Sequence, residues 1–512
     1  MNRFLISLTV MLPTLIEIID TSVVNVSLDH IRGSLSAGID EATWAITAYL
    51  VSNAIIIPIT GWLSRFFGRR NYLIASISIF TVSSFLCGSA WNLQSLIFFR
   101  IIQGIGGGGL QPISQSILLE SFPPAQHGMA MAIFGVGIMF GPIAGPLLGG
   151  WITDNWSWRW IFYINVPIGI ISVLMTFFFI YDPPYMKRVK MKIDYWGLAL
   201  LAVGLGALQF MLDKGEREDW FSSPLIVTCA IIAGACLILL IIVEIFSEEP
   251  VLNLRLFKDR TFTTGNMVMF FAFFNLFGTI VLLPIFLQTL MGYTSFLAGV
   301  VIGPGGFATM LAMPIAGRLI TKHDPKKLLA AGLFLGSVST YLMSTVNLQA
   351  DFFTLAIPRI VLGFGMGLLF IPLTTMTLSH IPKEKMGEAT AMYNLLRNMG
   401  GSVGVAFVTT VVARRTQFHQ SRLIEHLTPF DMTYVISREN IAKLLTYSGI
   451  HTYQTQAPSP PDVLIFSELL RQANMLGFND AFFMLSVMML LVLPLVLLMR
   501  KGKVGETPPP MH

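Results

Sequence analysis

Charge is what this 512-residue sequence has least of: Asp, Glu, Lys and Arg together make up 12% of it. Soluble domains carry about 25%, and half that figure leaves too few charges to solvate a globule of this size. A soluble enzyme, a disordered scaffold and a secreted module are therefore excluded. Cysteine is scarce too, with three in the chain, and Cys87, Cys229 and Cys236 all fall inside apolar runs. That pattern implies no disulfide framework and no metal site, and no resident cofactor is expected. What the chain has in abundance is apolar side chains, at 54% of residues with a mean hydropathy of +0.69. It reads as an all-α integral membrane protein.

The apolar run 4–28 follows Met1-Asn2-Arg3 and contains Glu17 and Asp20. Its length and its acids mark a retained first span rather than a signal peptide. Further stretches of about 20 predominantly apolar residues fall near 43–63, 72–90, 95–119, 128–152 and 159–181, completing six spans. Two more lie near 195–212 and 224–246, and six near 262–290, 296–320, 327–346, 352–378, 388–413 and 477–499. The expectation is fourteen spans in two six-helix halves with an additional central pair. The corresponding divisions are a first half 1–181, a basic connector and two extra helices 182–260, and five helices of the second half 261–413. An extracytoplasmic lobe 414–476, a last helix 477–500 and a tail 501–512 complete the chain.

An even number of spans puts both termini on one side. The loops on that side hold 20 Lys and Arg, against four (Arg32, Arg159, Lys214 and Arg217) in the short loops opposite. By the positive-inside rule both termini are cytoplasmic. The 414–476 segment is too long to be governed by that rule; it has a helix-compatible stretch 432–449 and a breaker at Ala457-Pro458-Ser459-Pro460-Pro461. Trp151, Trp156, Trp158 and Trp160 cluster where an outer aromatic belt is expected.

The halves are related by an internal repeat. Pro58-Ile59-Thr60-Gly61-Trp62-Leu63 recurs as Pro314-Ile315-Ala316-Gly317-Arg318-Leu319, and Arg100-Ile101-Ile102-Gln103-Gly104 as Arg359-Ile360-Val361-Leu362-Gly363. Parallel repeats of this kind characterise transporters whose substrate site lies at the repeat interface.

An ionised carboxylate at the bilayer centre costs about 2.5–3.5 kcal/mol even on the forgiving insertion scale, so acids there need a partner, water or a proton. Glu17 and Asp20 lie three residues apart on one helix face, with Asn25 further along. Two carboxylates so close resist simultaneous ionisation, which suits one of them to carry an exchangeable proton. The alternative for Asp20 is a permanent ion pair that fixes helix packing. Arg100 and Arg397 are the candidate partners, since a guanidinium keeps its charge; snorkelling to the interface is the alternative for Arg100. Arg359 reads as structural. Asn25, Gln103, Gln111, Gln115, Asn275 and Asn394 are the polar candidates for lining a substrate cavity. Gly137, Gly141, Gly145 and Gly149, spaced by four, form a stripe that lets helices approach closely. The glycines at 104–109 sit mid-span with no preceding strand, so a dinucleotide site is excluded.

Taken together these features resemble the major facilitator superfamily, specifically its fourteen-helix drug:proton antiporters of the EmrB type. The motifs that carry the resemblance are Asp20-Thr21-Ser22-Val23-Val24-Asn25-Val26, Gly61-Trp62-Leu63 through Gly68-Arg69-Arg70, and Arg100 with Gln103-Gly104. Gly141-Pro142 through Gly145-Pro146, Trp158-Arg159-Trp160 running into Asn165-Val166-Pro167, and Leu212-Asp213-Lys214-Gly215 with Asp219-Trp220-Phe221 extend it over nearly the whole chain. The resemblance implies a proton-driven exporter of hydrophobic or amphipathic drugs in the bacterial inner membrane. In it Asp20 and Arg100 take part in proton coupling, while Gly61, Gly68, Arg69, Arg70, Gly137, Gly141, Pro142, Gly145, Pro146 and Gly149 serve the conformational motifs. It also implies a periplasmic membrane-fusion adaptor of the EmrA type and a TolC-type outer-membrane channel as partners. One departure is Arg65, which stands where the superfamily usually has Asp, although the EmrB type also tends to carry a base there. Two other functions stay open: a narrow-specificity exporter of a fatty acid or siderophore, and a proton-coupled nutrient symporter.

Overall fold

The computed structural model describes residues 3–123, 126–182, 194–247, 250–447 and 460–500. Lys187, Arg188, Lys190 and Lys192 of the basic connector, Ala457-Pro458-Ser459 of the breaker and the tail 501–512 lie outside the described residues. The first half comprises α1 (Arg3–Val26), α2 (Leu28–Ser34), α3 (Ile39–Phe67), α4 (Arg69–Gly88), α5 (Leu93–Gly107), α6 (Leu110–Ser121), α7 (His127–Asn155), α8 (Trp160–Tyr163) and α9 (Asn165–Phe179). The additional pair is α10 (Tyr195–Lys214) and α11 (Pro224–Phe246). The second half comprises α12 (Arg260–Ile285), α13 (Ser295–Leu319), α14 (Pro325–Ser344), α15 (Phe352–Leu378), α16 (Met386–Ile424), α17 (Met432–Tyr447), α18 (Pro460–Val492) and α19 (Leu495–Leu498). Among the described residues there is no strand.

Among the described residues, twelve helical segments are long and apolar enough to cross a membrane. The two other expected spans coincide with α5 and α6 together and with α7. The expected continuous span 95–119 is broken in two because Gly106 to Gly109 give the backbone little to hold it straight. Pro112, which lacks an N–H, then sits in the first turn of the next helix, where that N–H would have no partner in any case. Side chains such as Phe177, Phe178, Ile231, Ile238 and Phe353 are exposed on the outside of the bundle, as a hydrocarbon solvent requires.

The lobe is built differently from expectation. The spanning helix α16 does not end near 413 but runs on to Ile424, because 414–424 contains neither Pro nor Gly to stop it. The last spanning helix begins at Pro460, well before 477; prolines at the start of a helix cost no hydrogen bond, so Pro460-Pro461 initiates α18 instead of breaking a chain. Between them α17 is held by Asp462, which accepts from Tyr434 Oη (2.9 Å) and Arg438 Nε (2.8 Å).

The end of the bundle that carries Arg3 is here termed the near end, and the other the far end. Buried apolar side chains form one cluster across both halves toward the near end, from Ile6, Trp62 and Met131 to Met313, Phe370 and Met386. Toward the far end each half has its own: Val23, Ile31, Cys87 and Phe162 in the first, Phe274, Leu283, Leu355 and Phe478 in the second. The halves are thus joined at the near end and packed separately at the far end.

Candidate functional site

The glycine stripe decides how close α1 comes to α7. A Cβ at Gly137, Gly141, Gly145 or Gly149 would lie 1.9, 2.2, 2.4 and 2.9 Å from atoms of Met11, Ile18, Ser22 and Val23 respectively. The helix that carries Glu17 and Asp20 is therefore seated against the stripe with no room for a methyl group. The side chains of Pro142 and Pro146 lie outside those described.

Asp20 is sealed inside the first half. Its Oδ2 accepts from Arg100 Nη1 at 2.6 Å, and its Oδ1 from Gln103 Nε2 (2.9 Å) and Asn165 Nδ2 (2.8 Å). Arg100 is held from three further sides: Nε donates to the Ala45 carbonyl (3.0 Å), Nη1 to Gln103 Oε1 (2.8 Å), and the guanidinium lies 4.2 Å from the Tyr49 ring centre. With Arg100 only 1% exposed, the charge is paired inside the bundle and does not snorkel. A buried ion pair survives desolvation best when its remaining donors and acceptors are used; here both Asp20 oxygens and the Nε and Nη1 groups of Arg100 are.

Glu17 faces the second half. It accepts from Tyr49 Oη (3.2 Å), Asn53 Nδ2 (3.3 Å) and Gln111 Nε2 (2.5 Å). The other end of the Gln111 amide accepts from Arg397 Nη2 on α16. One turn along, Gln115 Oε1 accepts from Asn394 Nδ2 at 2.7 Å. These two amide contacts join α6 to α16, and through Gln111 they link the Glu17 carboxylate to a cation in the opposite half. Arg397 Nη1 has no hydrogen-bond partner among the described residues. Asn275 is placed elsewhere, donating to the Leu485 carbonyl (3.1 Å) and tying α12 to α18. Asn25 is exposed near the end of α1.

The loop motif divides its work between the halves. Gly68 adopts φ 83°, a left-handed conformation that favours glycine. Arg69 pairs with Glu120, while Arg70 donates to the Phe177 carbonyl (2.6 Å) and lies 4.6 Å from the Phe177 ring centre, all within the first half. Gly61 and Arg65 instead reach across. A Cβ on Gly61 would lie 2.6 Å from the Glu388 Cα, and Arg65 Nη1 is 2.7 Å from Glu388 Oε1. Glu388 also accepts from Asn253 Nδ2 (2.7 Å), and a second close approach between the halves brings Gly128 on α7 against Gly317 on α13. The base at position 65 therefore has an acid in the other half as its partner.

Tyr49, Asn53, Asn165, Asn253 and Glu388 complete these networks without standing out as site residues in the sequence. Asn165 lay in a recognised motif, but nothing local signals a partner 145 positions away.

Residues 10–405 match the family described as Major Facilitator Superfamily. The chain is 37% identical to the "Fatty acid resistance protein FarB" of Neisseria gonorrhoeae, over 99% of this chain and 96% of that one. It is 36% identical to the "Multidrug export protein EmrB" of Escherichia coli (strain K12), over 96% and 94%. Among solved structures, the fold is similar to the human organic anion transporter MFSD10, with a TM-score of 0.64 at 13% identity and coverage of 97% and 100%. It is also similar to the proton:xylose symporter XylE, with a TM-score of 0.61 at 15% identity and coverage of 96% and 94%.

Proposed function

The chain belongs to the major facilitator superfamily, and on that footing we propose that it is a proton-driven exporter of hydrophobic or amphipathic compounds working by alternating access. It is a multi-pass transporter of the bacterial inner membrane. In this reading all fourteen segments span, the near end is cytoplasmic, and the conformation described is the one closed on that side.

The observation that carries the reading is the link from Glu17 through Gln111 to Arg397 across the contact between halves. A carboxylate's proton affinity follows the charges and donors around it. When the near end opens, α16 moves relative to α6, the amide bridge parts and Arg397 recedes, so that the site on α1 meets a different field in each state. Asp20, with its partners all in the first half, travels with that half and gives α1 a fixed anchor beside the mobile link. A membrane potential of about 150 mV supplies about 3.5 kcal/mol per charge, or roughly a 300-fold gradient, so one net charge per cycle is enough for resistance.

The relatives named for multidrug export support a broad cargo; the relative named for fatty acid resistance supports a narrower one, in which the cargo is a fatty acid. An adaptor of the EmrA type contacting the 414–476 lobe, with a TolC-type channel beyond, is part of the same proposal. The test is transport in proteoliposomes under an imposed pH gradient, with drug and fatty-acid panels and with Glu17→Gln beside the wild type. Cargo moving against the proton flux, and lost in the variant, is expected. Cargo moving with the protons makes the protein an importer and overturns the reading.

A further inference from the structure

The turn between α10 and α11 touches both halves at the far end. On the first-half side, Asp213 accepts from Thr47 Oγ1, and Lys214 Nζ donates to Thr43 Oγ1 (2.7 Å). Trp44 stacks on Phe210 with ring centres 5.4 Å apart. On the second-half side, Trp220 Nε1 donates to Thr410 Oγ1 (2.8 Å), and Asp219 Oδ1 is 2.6 Å from Arg414 Nη2. Thr43 to Thr47 open α3, and Thr410 and Arg414 lie far along α16. These are the two helices whose opposite ends meet directly where Gly61 packs on Glu388.

We propose that this turn, residues 213–221, is a prop between the far ends of α3 and α16 that holds the bundle closed at its near end and lets go of α16 when the near end opens. The inference rests on the alternating-access reading above. Two rigid helices in contact at one end cannot separate there by rocking without changing their distance at the other. That distance is presently spanned by the turn.

The two attachments are unequal. Lys214 is buried on the α3 side, whereas the Asp219–Arg414 pair is exposed and the Trp220–Thr410 contact is a single hydrogen bond. Asp219 and Trp220 also have φ of 50° and 52°, a left-handed conformation rare for residues with a Cβ and a true outlier for a bulky one. Its persistence requires surroundings that enforce it. Here the Trp220 ring lies against Gly215, where a Cβ would come within 2.7 Å of it, and the indole is caught by Thr410. Releasing α16 relaxes that backbone, so the second-half attachment is the one built to open.

The test reads closure of the near end directly, by maleimide labelling of Ser64→Cys in the full-length protein in nanodiscs, with Cys87, Cys229 and Cys236 replaced by Ala. Ser64 is 2% exposed beneath the Gly61–Glu388 contact. Trp220→Phe combined with Arg414→Gln is expected to raise the labelling rate by up to about tenfold, the effect of losing one hydrogen bond and one exposed ion pair. Glu388→Gln, which loosens the near end itself, is the reference. Faster labelling with Glu388→Gln and no change with the far-end pair overturns the prop but leaves alternation standing; no change with either overturns both. In a second measurement, Asp219→Cys and Arg414→Cys are joined by a short bis-methanethiosulfonate crosslinker, which forms a reducible disulfide to each cysteine with methanesulfinate as the leaving group. Arrested transport that recovers on reduction is expected, and full transport with the crosslink intact overturns the proposal.

Discussion

Replacing Asp20 by its closest neutral analogue is expected to damage the fold as well as the transport cycle. An amide has one acceptor oxygen where the carboxylate offers two, and Asp20 uses both. If the Asn oxygen takes the place of Oδ1, the bonds from Gln103 and Asn165 survive, but the new NH2 group confronts Arg100 Nη1 across the 2.6 Å now filled by an ion pair. If it takes the place of Oδ2, the Arg100 contact survives without its charge, and two amide donors face a third. Removing one member of a buried pair costs about 3–5 kcal/mol. Arg100 keeps the Ala45 carbonyl, Gln103 Oε1 and the Tyr49 ring, so the lower end, about 3 kcal/mol, applies. The remedy is to remove the orphaned cation too. Asp20→Asn with Arg100→Gln is expected to be more stable than the sum of the single losses by about 2 kcal/mol, within the range found for residues sharing a network. Denaturation midpoints of the four purified proteins, at one detergent concentration and scan rate, complete the cycle. Wild-type stability in Asp20→Asn, or strict additivity in the double variant, refutes the argument.

Further outcomes follow from other contacts. Gly61→Ala places a Cβ 2.6 Å from the backbone of Glu388, which cannot swing away as a side chain can, so maleimide labelling of Ser64→Cys rises and transport falls; unchanged labelling counts against Gly61 as the closure point. Gln111→Leu severs the link between Glu17 and Arg397 without removing either charge, and is expected to uncouple cargo movement from the pH gradient; coupling as tight as the wild type's rules out the bridge. Asp462→Ala frees α17 from α18, and amides of 432–447 should exchange hydrogen about tenfold faster, the loss of one or two partly exposed charged hydrogen bonds. At the start of the same helix, Asp431 accepts from the Thr433 N–H (2.8 Å), which holds its carboxyl below the usual carboxylate range. A depressed carboxyl contributes stability above its unfolded pKa of about 3.9 and loses it as pH falls through the folded value. Protection of α17 is therefore expected to be flat from about pH 5 to 8 with respect to this group, and a loss at pH 6 would point to another.

Much of this arrangement is legible in the sequence because a membrane enforces it locally. Apolar runs give the helices, and an acid or arginine within such a run announces itself by its cost, as Glu17, Asp20, Arg100 and Arg397 do. The glycine stripe on α7 is periodic and hence visible, although only the coordinates show that α1 is what it receives. Pairing is the part that sequence conceals. Nothing near Arg65 names Glu388 as its partner, and Trp220 and Thr410 are ordinary residues until the turn brings them together. Helix ends are hidden where apolarity stops but helix formation does not, as at 414–424, since leaving hydrocarbon ends a span and only a breaker ends a helix.

That last distinction gives α16 a mechanical character. Its 39 residues run unbroken for about 58 Å from Met386, beside Glu388 at the near-end seam, to Ile424 in the lobe. A stiff rod that rocks as the seam parts works as a lever: a tilt of roughly 10° displaces one tip relative to the other by about 10 Å. The lobe, tied to the shaft of α18 through Asp480 with Arg415 and His419, swings with it. Anything that grips the lobe has its hand on the same crank that opens and shuts the near end, and a load applied there is felt at Arg65 and Glu388.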